Sequence, residues 1–306
     1  MAKQKAYITG GSGFLGSAIM TSLLKNNFEV MAARRPQTDL FRCIAFQDQV
    51  TWVDTSNDRY KEEVILFKPD IIVHAAWTGV SSKERVDWVP QLKNFDLLGD
   101  VLEISKKVNL KKLLILGSQA EYGAIDGRVN ENHPVNGTDA YAVCKQASQK
   151  IIENFCNQNN IDWYWLRVFS VFGPGEALNW FIPWVITNQL NDTDCDLTLC
   201  EQEYDYLFVN DFVAMVVNIV TSVNSSSGIF NICSGQTIAL KKIVEQISQS
   251  IAGKGKVNYG AIAYRPNQIM EISGDNSKYN ATFGKLKQTD LHSALADTIT
   301  YYKKAI

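Results

Sequence analysis

Residues 8–16 read Ile-Thr-Gly-Gly-Ser-Gly-Phe-Leu-Gly, and this stretch decides the fold class. It joins a short apolar run at residues 5–9 to an amphipathic run at residues 14–25. A glycine-rich turn between a strand and a helix is typical of dinucleotide-binding sheets, because the glycines let a pyrophosphate approach the backbone and the helix N-terminus attracts its charge. The stretch therefore predicts a dinucleotide site made by Gly10, Gly13, Phe14, Leu15 and Gly16.

Apolar runs alternate with amphipathic runs through the first half of the chain, which is typical of βαβ units and a parallel sheet. Strands are predicted at residues 5–9, 28–33, 50–53, 71–74, 113–116 and 163–168. Helices are predicted at residues 14–25, 59–67, 90–107 and 140–159. The regular alternation weakens after residue 175. We therefore predict an α/β protein with a doubly wound parallel-sheet Rossmann domain at 1–170 and a smaller mixed substrate-binding lobe at 171–306.

The composition is that of a globular protein, with 306 residues, 46% hydrophobic and 20% charged. The formal net charge of -2 and the mixing of acidic and basic residues argue against a nucleic-acid partner. No apolar run approaches the roughly 20 residues that span a bilayer, so no membrane partner is expected. The six cysteines form no Cys-x-x-Cys pair, which predicts no metal site and a cytoplasmic location with reduced thiols.

A second motif, at residues 139–145, contains candidate catalytic residues. Tyr141 and Lys145 lie four residues apart in Asp-Ala-Tyr-Ala-Val-Cys-Lys, so on a helix they share one face. Such a match arises about once by chance in a chain with 12 tyrosines, and its value lies in its placement. Ser118 ends an apolar run at residues 111–116, which reads as a buried parallel strand. A hydroxyl, a phenol and an ammonium are therefore expected to converge as the catalytic residues Ser118, Tyr141 and Lys145 of an oxidoreductase.

The whole pattern resembles the extended short-chain dehydrogenase/reductase superfamily, in its nucleotide-sugar epimerase, dehydratase and reductase branch. The resemblance covers nearly the full chain. It rests on ITGGSGFLG (8–16), VDTSND (53–58), IIVHAA (71–76), LILGSQAEYG (114–123), YAVCK (141–145), LRVFSVFGPG (166–175), YDYLFVND (204–211), FNICSG (230–235) and the Arg-Pro pair at 265–266. It implies that segments near 207–232 return to the sheet.

The resemblance also implies residue roles. Tyr141 is the general acid or base at a sugar oxygen, and Ser118 donates a hydrogen bond to the same oxygen. Lys145 lowers the pKa of the phenol and holds the nicotinamide ribose. Asp54 touches the adenine, and Ala75 and Ala76 form a small wall beside the cofactor. His74 is expected to be structural.

The end of the second strand bears on the cofactor. Arg34 and Arg35 stand where relatives usually have an acidic residue that holds the adenosine ribose. Arginine pairs well with a phosphate, so these residues favour NADP over NAD, although a solvated arginine pair is the alternative and NAD stays possible.

Departures from the family pattern concern the substrate. Dehydratases follow the catalytic hydroxyl with an Asp-Glu pair, whereas this chain has Gln119 and Ala120. Glu121, one residue later, is either a buried substrate contact or a surface acid. Tyr204 replaces an arginine that faces the nucleotide diphosphate in many relatives, which leaves Arg265 as the expected diphosphate ligand. The predicted substrate-binding residues are Trp77, Gln119, Glu121, Asn179 and Arg265; Trp77 could equally be core packing.

We therefore expect NADP(H)-dependent reduction of a nucleotide-linked 4-keto hexose, with a 6-deoxy sugar favoured. A nucleotide-sugar 4-epimerase with retained NAD is one alternative, and a non-catalytic dinucleotide sensor is another. Retention of all three catalytic residues argues against the sensor, because the fold alone would not require them. By analogy with the superfamily, the helices at 90–107 and 140–159 are expected to form a homodimer interface.

Overall fold

The computed structural model describes residues 3–81, 83–125, 127–223, 225–266 and 268–305. Its strands are β1 (Lys5–Thr9), β2 (Glu29–Arg34), β3 (Val50–Asp54), β4 (Ile71–His74), β5 (Lys112–Ser118), β6 (Gly127–Val129), β7 (Asp162–Val168), β8 (Ser170–Phe172), β9 (Cys195–Leu197), β10 (Glu203–Tyr204), β11 (Tyr206–Phe208), β12 (Gly228–Ile232), β13 (Ile238–Ala239), β14 (Val257–Tyr259) and β15 (Glu271–Gly274). Its α-helices are α1 (Phe14–Lys25), α2 (Tyr60–Phe67), α3 (Trp88–Leu92), α4 (Asn94–Lys107), α5 (Ala140–Asn159), α6 (Phe181–Leu190), α7 (Val209–Thr221), α8 (Leu240–Ile251), α9 (Ser277–Phe283) and α10 (Leu291–Ala305).

The main sheet has seven parallel strands in the order β12-β7-β5-β4-β1-β2-β3. The strand order reverses between β1 and β4, where Thr9 lies in register with His74. In such sheets, ligands bind beyond the carboxyl ends of the strands at the point of reversal. The prediction of a doubly wound Rossmann fold is confirmed.

Side chains alternate between the two faces of this sheet, as the two-residue period of a strand requires. Ala6 and Ile8 of β1 belong to a core that α1 and α7 cover, whereas Tyr7 points into a second core beneath α2, α4 and α5. Helices on both faces explain why the central strands are apolar in their middle residues on both sides. The sheet is therefore buried, and its carboxyl edge is fixed in place.

Residues after 170 build most of the remaining structure. A third core joins α6, α8 and α10, and a four-stranded sheet has the order β13-β10-β15-β6. Within residues 207–232, β12 lies beside β7 in the main sheet, while β11 pairs with β8 in a two-stranded sheet. The domain boundaries at 170 and 171 stay a prediction.

The helix expected at residues 90–107 is two helices, α3 and α4, so that prediction was wrong in its bounds. Asp87 caps α3 by accepting from the Val89 N–H, which starts the helix before Pro90. The Asn94 side-chain amide donates to the carbonyl oxygens of Pro90 (3.2 Å) and Gln91 (3.1 Å). This side chain competes with the main chain for those acceptors and separates the helices. Among the described residues, no helix is both long and apolar enough to cross a bilayer.

Candidate active site

The glycine turn after β1 is a cradle that side chains would fill. Gly10 has a φ of +72°, and a Cβ there would lie 2.6 Å from the backbone nitrogen of Ala76. A Cβ on Gly16 would lie 2.1 Å from the carbonyl oxygen of Gly10. The Gly13 N–H donates to that same oxygen (3.0 Å). Only glycine fits these contacts, so the turn leaves open backbone at the edge of the sheet.

The first turn of α1 faces this cradle. Gly13 is its N-cap and has no side chain to accept from the helix, and the first turn carries no acidic residue. The leading N–H groups of a helix lack partners within the helix, so those of Phe14, Leu15 and Gly16 are available to an anion. This set fits the pyrophosphate of a dinucleotide.

The end of the second strand presents the two predicted arginines. Arg34 ends β2 in register with Asp54, which ends β3. Arg34 and Arg35 are both exposed, and the Arg34 guanidinium carbon lies 5.9 Å from the centre of the Trp52 ring. Asp54 Oδ1 accepts from the Ser56 N–H (2.9 Å) and hydroxyl (2.8 Å). The structure thus brings Arg34 and Asp54 to one edge; their contacts with a cofactor stay a prediction.

The wall beyond β4 is tied to β1. The Ala75 N–H donates to the Thr9 carbonyl oxygen (3.1 Å), and the Ala76 N–H donates to the Thr9 hydroxyl (3.4 Å). His74 Nδ1 pairs with the same hydroxyl (2.8 Å), while its Nε2 is buried and has no partner among the described residues. Burial, helped by the charge of Lys145, lowers the pKa of His74 to about 3. His74 is therefore a neutral ring, as a structural role requires.

The three predicted catalytic residues meet at the carboxyl end of β5. Ser118 ends that strand, and Tyr141 and Lys145 lie on one face of α5. Their exposed fractions are 8%, 6% and 3%. Lys145 Nζ donates to the Leu116 carbonyl oxygen (2.7 Å) and lies 5.8 Å from the centre of the Tyr141 ring. The hydroxyl, phenol and ammonium therefore share one buried site.

Trp77 contacts two of these residues. Lys145 Nζ lies 3.7 Å from the centre of the Trp77 ring, and the Trp77 and Tyr141 rings meet edge to face with centres 6.0 Å apart. Trp77 Nε1 donates to the fully buried Gln91 side chain (2.8 Å). Gln91 Nε2 donates to the Gly79 carbonyl oxygen (2.6 Å). A buried amide thus holds the Trp77 indole against Lys145, while the contact of Trp77 with substrate stays a prediction.

Burial is the largest influence on the pKa of Tyr141, and the predicted lowering of that pKa by Lys145 stays a prediction. Burial raises the pKa of Tyr141, and the Ser118 hydroxyl and the Arg85 charge act in the opposite direction. Burial also lowers the pKa of Lys145 to about 7, so this lysine loses charge near neutral pH. A partly neutral amine stabilises a phenolate less than a full ammonium does. With its pKa raised by burial, Tyr141 is therefore protonated near neutral pH.

Arg85 is the cation that the sequence analysis missed. Its guanidinium carbon lies 4.7 Å from the centre of the Tyr141 ring. It sits between β4 and α3, outside every motif quoted above, so only the fold brings it to the site.

Glu121 is buried, and its carboxylate is occupied. Its exposed fraction is 0%. Arg167 Nε donates to Oε2 (2.9 Å), the Trp165 indole donates to both oxygens, and the Ser118 N–H donates to Oε1 (2.8 Å). The alternative of a surface acid was wrong, because a short turn after β5 folds the side chain inward as a capping box. A substrate contact by Glu121 stays a prediction; its observed contacts are structural.

The structure gives the surroundings of the remaining predicted substrate residues. The Gln119 carboxamide oxygen is buried and has no partner among the described residues. Asn179 and Arg265 are exposed. The Tyr204 hydroxyl donates to the Ile269 carbonyl oxygen (2.7 Å) and accepts from Gln268 Nε2 (2.7 Å). Burial raises the pKa of Tyr204, and the charge of Arg265 acts in the opposite direction. Whether these groups touch substrate stays a prediction.

The fold and this constellation define a dinucleotide-binding protein of the short-chain dehydrogenase/reductase type. A family model described as the NAD dependent epimerase/dehydratase family matches residues 6–233, and the chain belongs to that family. The expected superfamily is thereby confirmed.

Relatives carry several printed activities. The chain is 24% identical to CDP-abequose synthase of Salmonella muenchen over 90% of each chain. It is 24% identical to GDP-6-deoxy-D-talose 4-dehydrogenase of Aggregatibacter actinomycetemcomitans over 90% of this chain and 89% of the relative. A solved structure of UDP-glucuronic acid 4-epimerase from Bacillus cereus, in complex with UDP-glucuronic acid and NAD, has a TM-score of 0.86 at 20% identity over 99% of this chain and 100% of the other. The family thus contains nucleotide-sugar oxidoreductases and epimerases.

Proposed function

We propose that this protein reduces a nucleotide-linked 4-keto-6-deoxyhexose with NADPH. The observation that carries the proposal is the buried convergence of Ser118, Tyr141 and Lys145 beside the glycine cradle. The bound cofactor would supply the hydride, held at the cradle and at the predicted residues of the second and third strands. Tyr141 protonates the ketone oxygen, and Ser118 donates a hydrogen bond to it.

The residues after Ser118 argue against dehydration. Elimination of water needs an acid and a base, and Gln119 and Ala120 supply neither. Glu121 could replace them only if its carboxylate were free. It is committed to Arg167, Trp165 and the Ser118 backbone instead. A site without these groups suits a reaction that needs only hydride and one proton.

The arginines at the end of β2 support NADPH as the cofactor. Arg34 and Arg35 are exposed, and no salt bridge engages either of them among the described residues. A 2′-phosphate would find two guanidinium groups there, with the fork geometry that suits phosphate. A reductase exchanges its cofactor in each turnover, which fits binding at an open edge. Because the Bacillus cereus 4-epimerase structure holds NAD, NAD stays the alternative.

One relative's name gives the reaction type some support. GDP-6-deoxy-D-talose 4-dehydrogenase is named for oxidation at the position of a deoxy sugar where we propose reduction. The alternative function is a 4-epimerase with retained NAD. The fold that this chain shares with the Bacillus cereus 4-epimerase is the observation in its favour.

The substrate and assembly are further parts of the proposal. Arg265 and Asn179 bind the nucleotide diphosphate, since both are exposed and the Arg265 guanidinium suits a phosphate. Two copies of the chain pair through α4 and α5, which sedimentation would test. All six cysteines are free and buried, which suits a reducing cytoplasm.

The test begins with mass spectrometry of nucleotides released from the purified, denatured protein. Nucleotide-linked 4-keto sugars are then supplied with NADPH, and the absorbance of the reduced cofactor is followed. The proposal predicts no retained NAD and a ketone-dependent loss of absorbance. Conversion of a 4-hydroxy nucleotide sugar to its epimer without added cofactor would contradict it. NADPH binding with no ketone-dependent oxidation would instead support the sensor.

A further inference from the structure

Arg85 is held against the catalytic tyrosine from outside α5. Its guanidinium carbon lies 4.7 Å from the centre of the Tyr141 ring, and its Nε donates to the Val80 carbonyl oxygen (2.9 Å). That hydrogen bond orients the guanidinium plane. A cation at this distance over an aromatic face is attracted by the ring's negative face. The hydrogen bond to Val80 therefore holds the charged guanidinium of Arg85 over the Tyr141 ring.

The backbone ties the same two residues together. The Tyr141 N–H lies in the first turn of α5, where helix N–H groups lack partners within the helix. It donates to the Arg85 carbonyl oxygen (2.9 Å). The N-cap Asp139 satisfies the Ala142 N–H (2.7 Å). Because the Arg85 carbonyl belongs to the main chain, replacing the Arg85 side chain leaves this hydrogen bond in place.

The charges that face the phenol come from four elements. Lys145 lies on α5 itself, Asp139 caps that helix, Glu121 follows β5, and Arg85 precedes α3. Asp139 and Glu121 favour the protonated phenol, and the neutral hydroxyl of Ser118 favours the phenolate. Lys145 has a pKa lowered to about 7 by burial, so its charge fades as the pH rises through neutrality. An arginine side chain stays charged over this whole range.

We propose that Arg85 is a positioning residue for Tyr141: its permanent charge stabilises the phenolate, and its guanidinium, held over the aromatic ring, orients that ring. The catalytic meaning of this role rests on the proposed function, whereas the electrostatic effect does not. Removing the charge should raise the pKa of Tyr141 by about one unit, which is the scale of a nearby charge after solvent screening.

The test uses two substitutions that keep the backbone hydrogen bond. Arg85→Met removes the charge and keeps an apolar stem, and Arg85→Lys keeps a charge. Each is also made with Tyr141→Phe, so that subtracting the pair isolates one phenol among the 12 tyrosines. Absorbance of the tyrosinate against pH then gives the midpoint for Tyr141. Circular dichroism identifies the pH range in which each protein stays folded.

We expect the midpoint of Tyr141 in Arg85→Met to lie about one pH unit above that of the wild type, with the midpoint in Arg85→Lys in between. Added salt should raise the midpoint of Tyr141 in the wild type. Arg85 is only half-buried, so salt screens its charge and weakens its stabilisation of the phenolate. Equal midpoints in the wild type and Arg85→Met would overturn the proposal. A wild-type phenol that stays protonated up to the pH at which the protein unfolds would overturn it as well.

A kinetic measurement separates this role from the proposed function. If ketone reduction occurs, the pH at which kcat/KM falls on the alkaline side should be about one unit higher in Arg85→Met than in the wild type. The reason is that Tyr141 must be protonated to act. A shifted phenol in a protein without turnover would leave the Arg85 role intact and refute the reductase. Turnover with an unmoved phenol and an unmoved alkaline fall of kcat/KM would do the reverse.

Discussion

At the scale of single residues, burial shifts the pKa of two titratable groups of the proposed site, Tyr141 and Lys145. Burial raises the pKa of Tyr141 and lowers the pKa of Lys145 to about 7, so both shifts favour the neutral form of the group. A neutral phenol is the form that can donate a proton to a ketone oxygen. The environment therefore prepares Tyr141 as an acid, which is the direction that a reductase needs.

Replacing Tyr141 with Phe should separate binding from chemistry. The ring and its contacts with Trp77 and Arg85 remain, so NADPH affinity should stay near that of the wild type. Turnover should fall by a factor on the order of 10² to 10⁴, the usual contribution of a placed general acid. Steady-state rates together with a fluorescence titration of NADPH check both parts. Near-normal turnover in this variant would remove Tyr141 from the mechanism.

Replacing Arg34 and Arg35 together with Ala should abolish the preference for NADPH. The variant should bind NADPH more weakly by about 2 to 4 kcal/mol, because a charge-assisted hydrogen bond contributes about 1.5 to 3 kcal/mol before solvent exposure reduces it. NADH binding should change little. Calorimetric titration of both cofactors provides the comparison, with the double Lys variant as a control that retains charge. Equal losses for the two cofactors would show that the arginines are structural.

At the scale of elements, a buried ion pair between Glu121 and Arg167 stabilises the end of β5. Glu121 follows the strand through a short turn, accepts from the Ser118 N–H, and is neutralised by Arg167 of β7 at 2.9 Å. Both partners are almost fully buried. Removing one member of such a pair leaves an unpaired buried charge. The pair therefore holds the strand end that presents Ser118.

Glu121→Gln should destabilise the protein by about 3 to 5 kcal/mol, since Arg167 would stay charged and buried. The matched control is Glu62→Gln, which breaks an exposed pair with Arg59 and should cost about 0 to 1 kcal/mol. Urea unfolding of the three proteins measures both effects. A loss below about 1 kcal/mol for Glu121→Gln would mean that Arg167 finds other partners.

Some bounds of the strands and helices could be predicted from the sequence, and others could not. Strands β1 and β4 and helices α1 and α5 have the predicted bounds, because their apolar periodicity and their glycine or capping boundaries are local signals. The division between α3 and α4 was not predictable, since it depends on where the Asn94 side chain donates. The burial of Glu121 likewise depends on Trp165 and Arg167, which are more than 40 residues away along the chain.

At the scale of the whole molecule, the parallel sheet explains why distant motifs make one site. β1, β4 and β5 are neighbours in the sheet, so the glycine cradle, the alanine wall and Ser118 all lie at their carboxyl ends. The sequence predicted that Ser118, Tyr141 and Lys145 converge, and the family resemblance implied the alanine wall beside the cofactor. It did not predict Arg85, because no periodicity or motif marks a side chain in the connection after β4. Tertiary contacts of this kind require the fold.

The central claim concerns net hydride transfer to the substrate, and an isotope measurement tests it most directly. A nucleotide-linked 4-keto-6-deoxyhexose is incubated with the protein and NADPH that carries deuterium at the transferred position. The account predicts one oxidised cofactor for each alcohol formed, with one deuterium on the former carbonyl carbon, and no such product with Tyr141→Phe in the same time. An epimerised product that forms without added cofactor and carries no deuterium would contradict the reductase assignment.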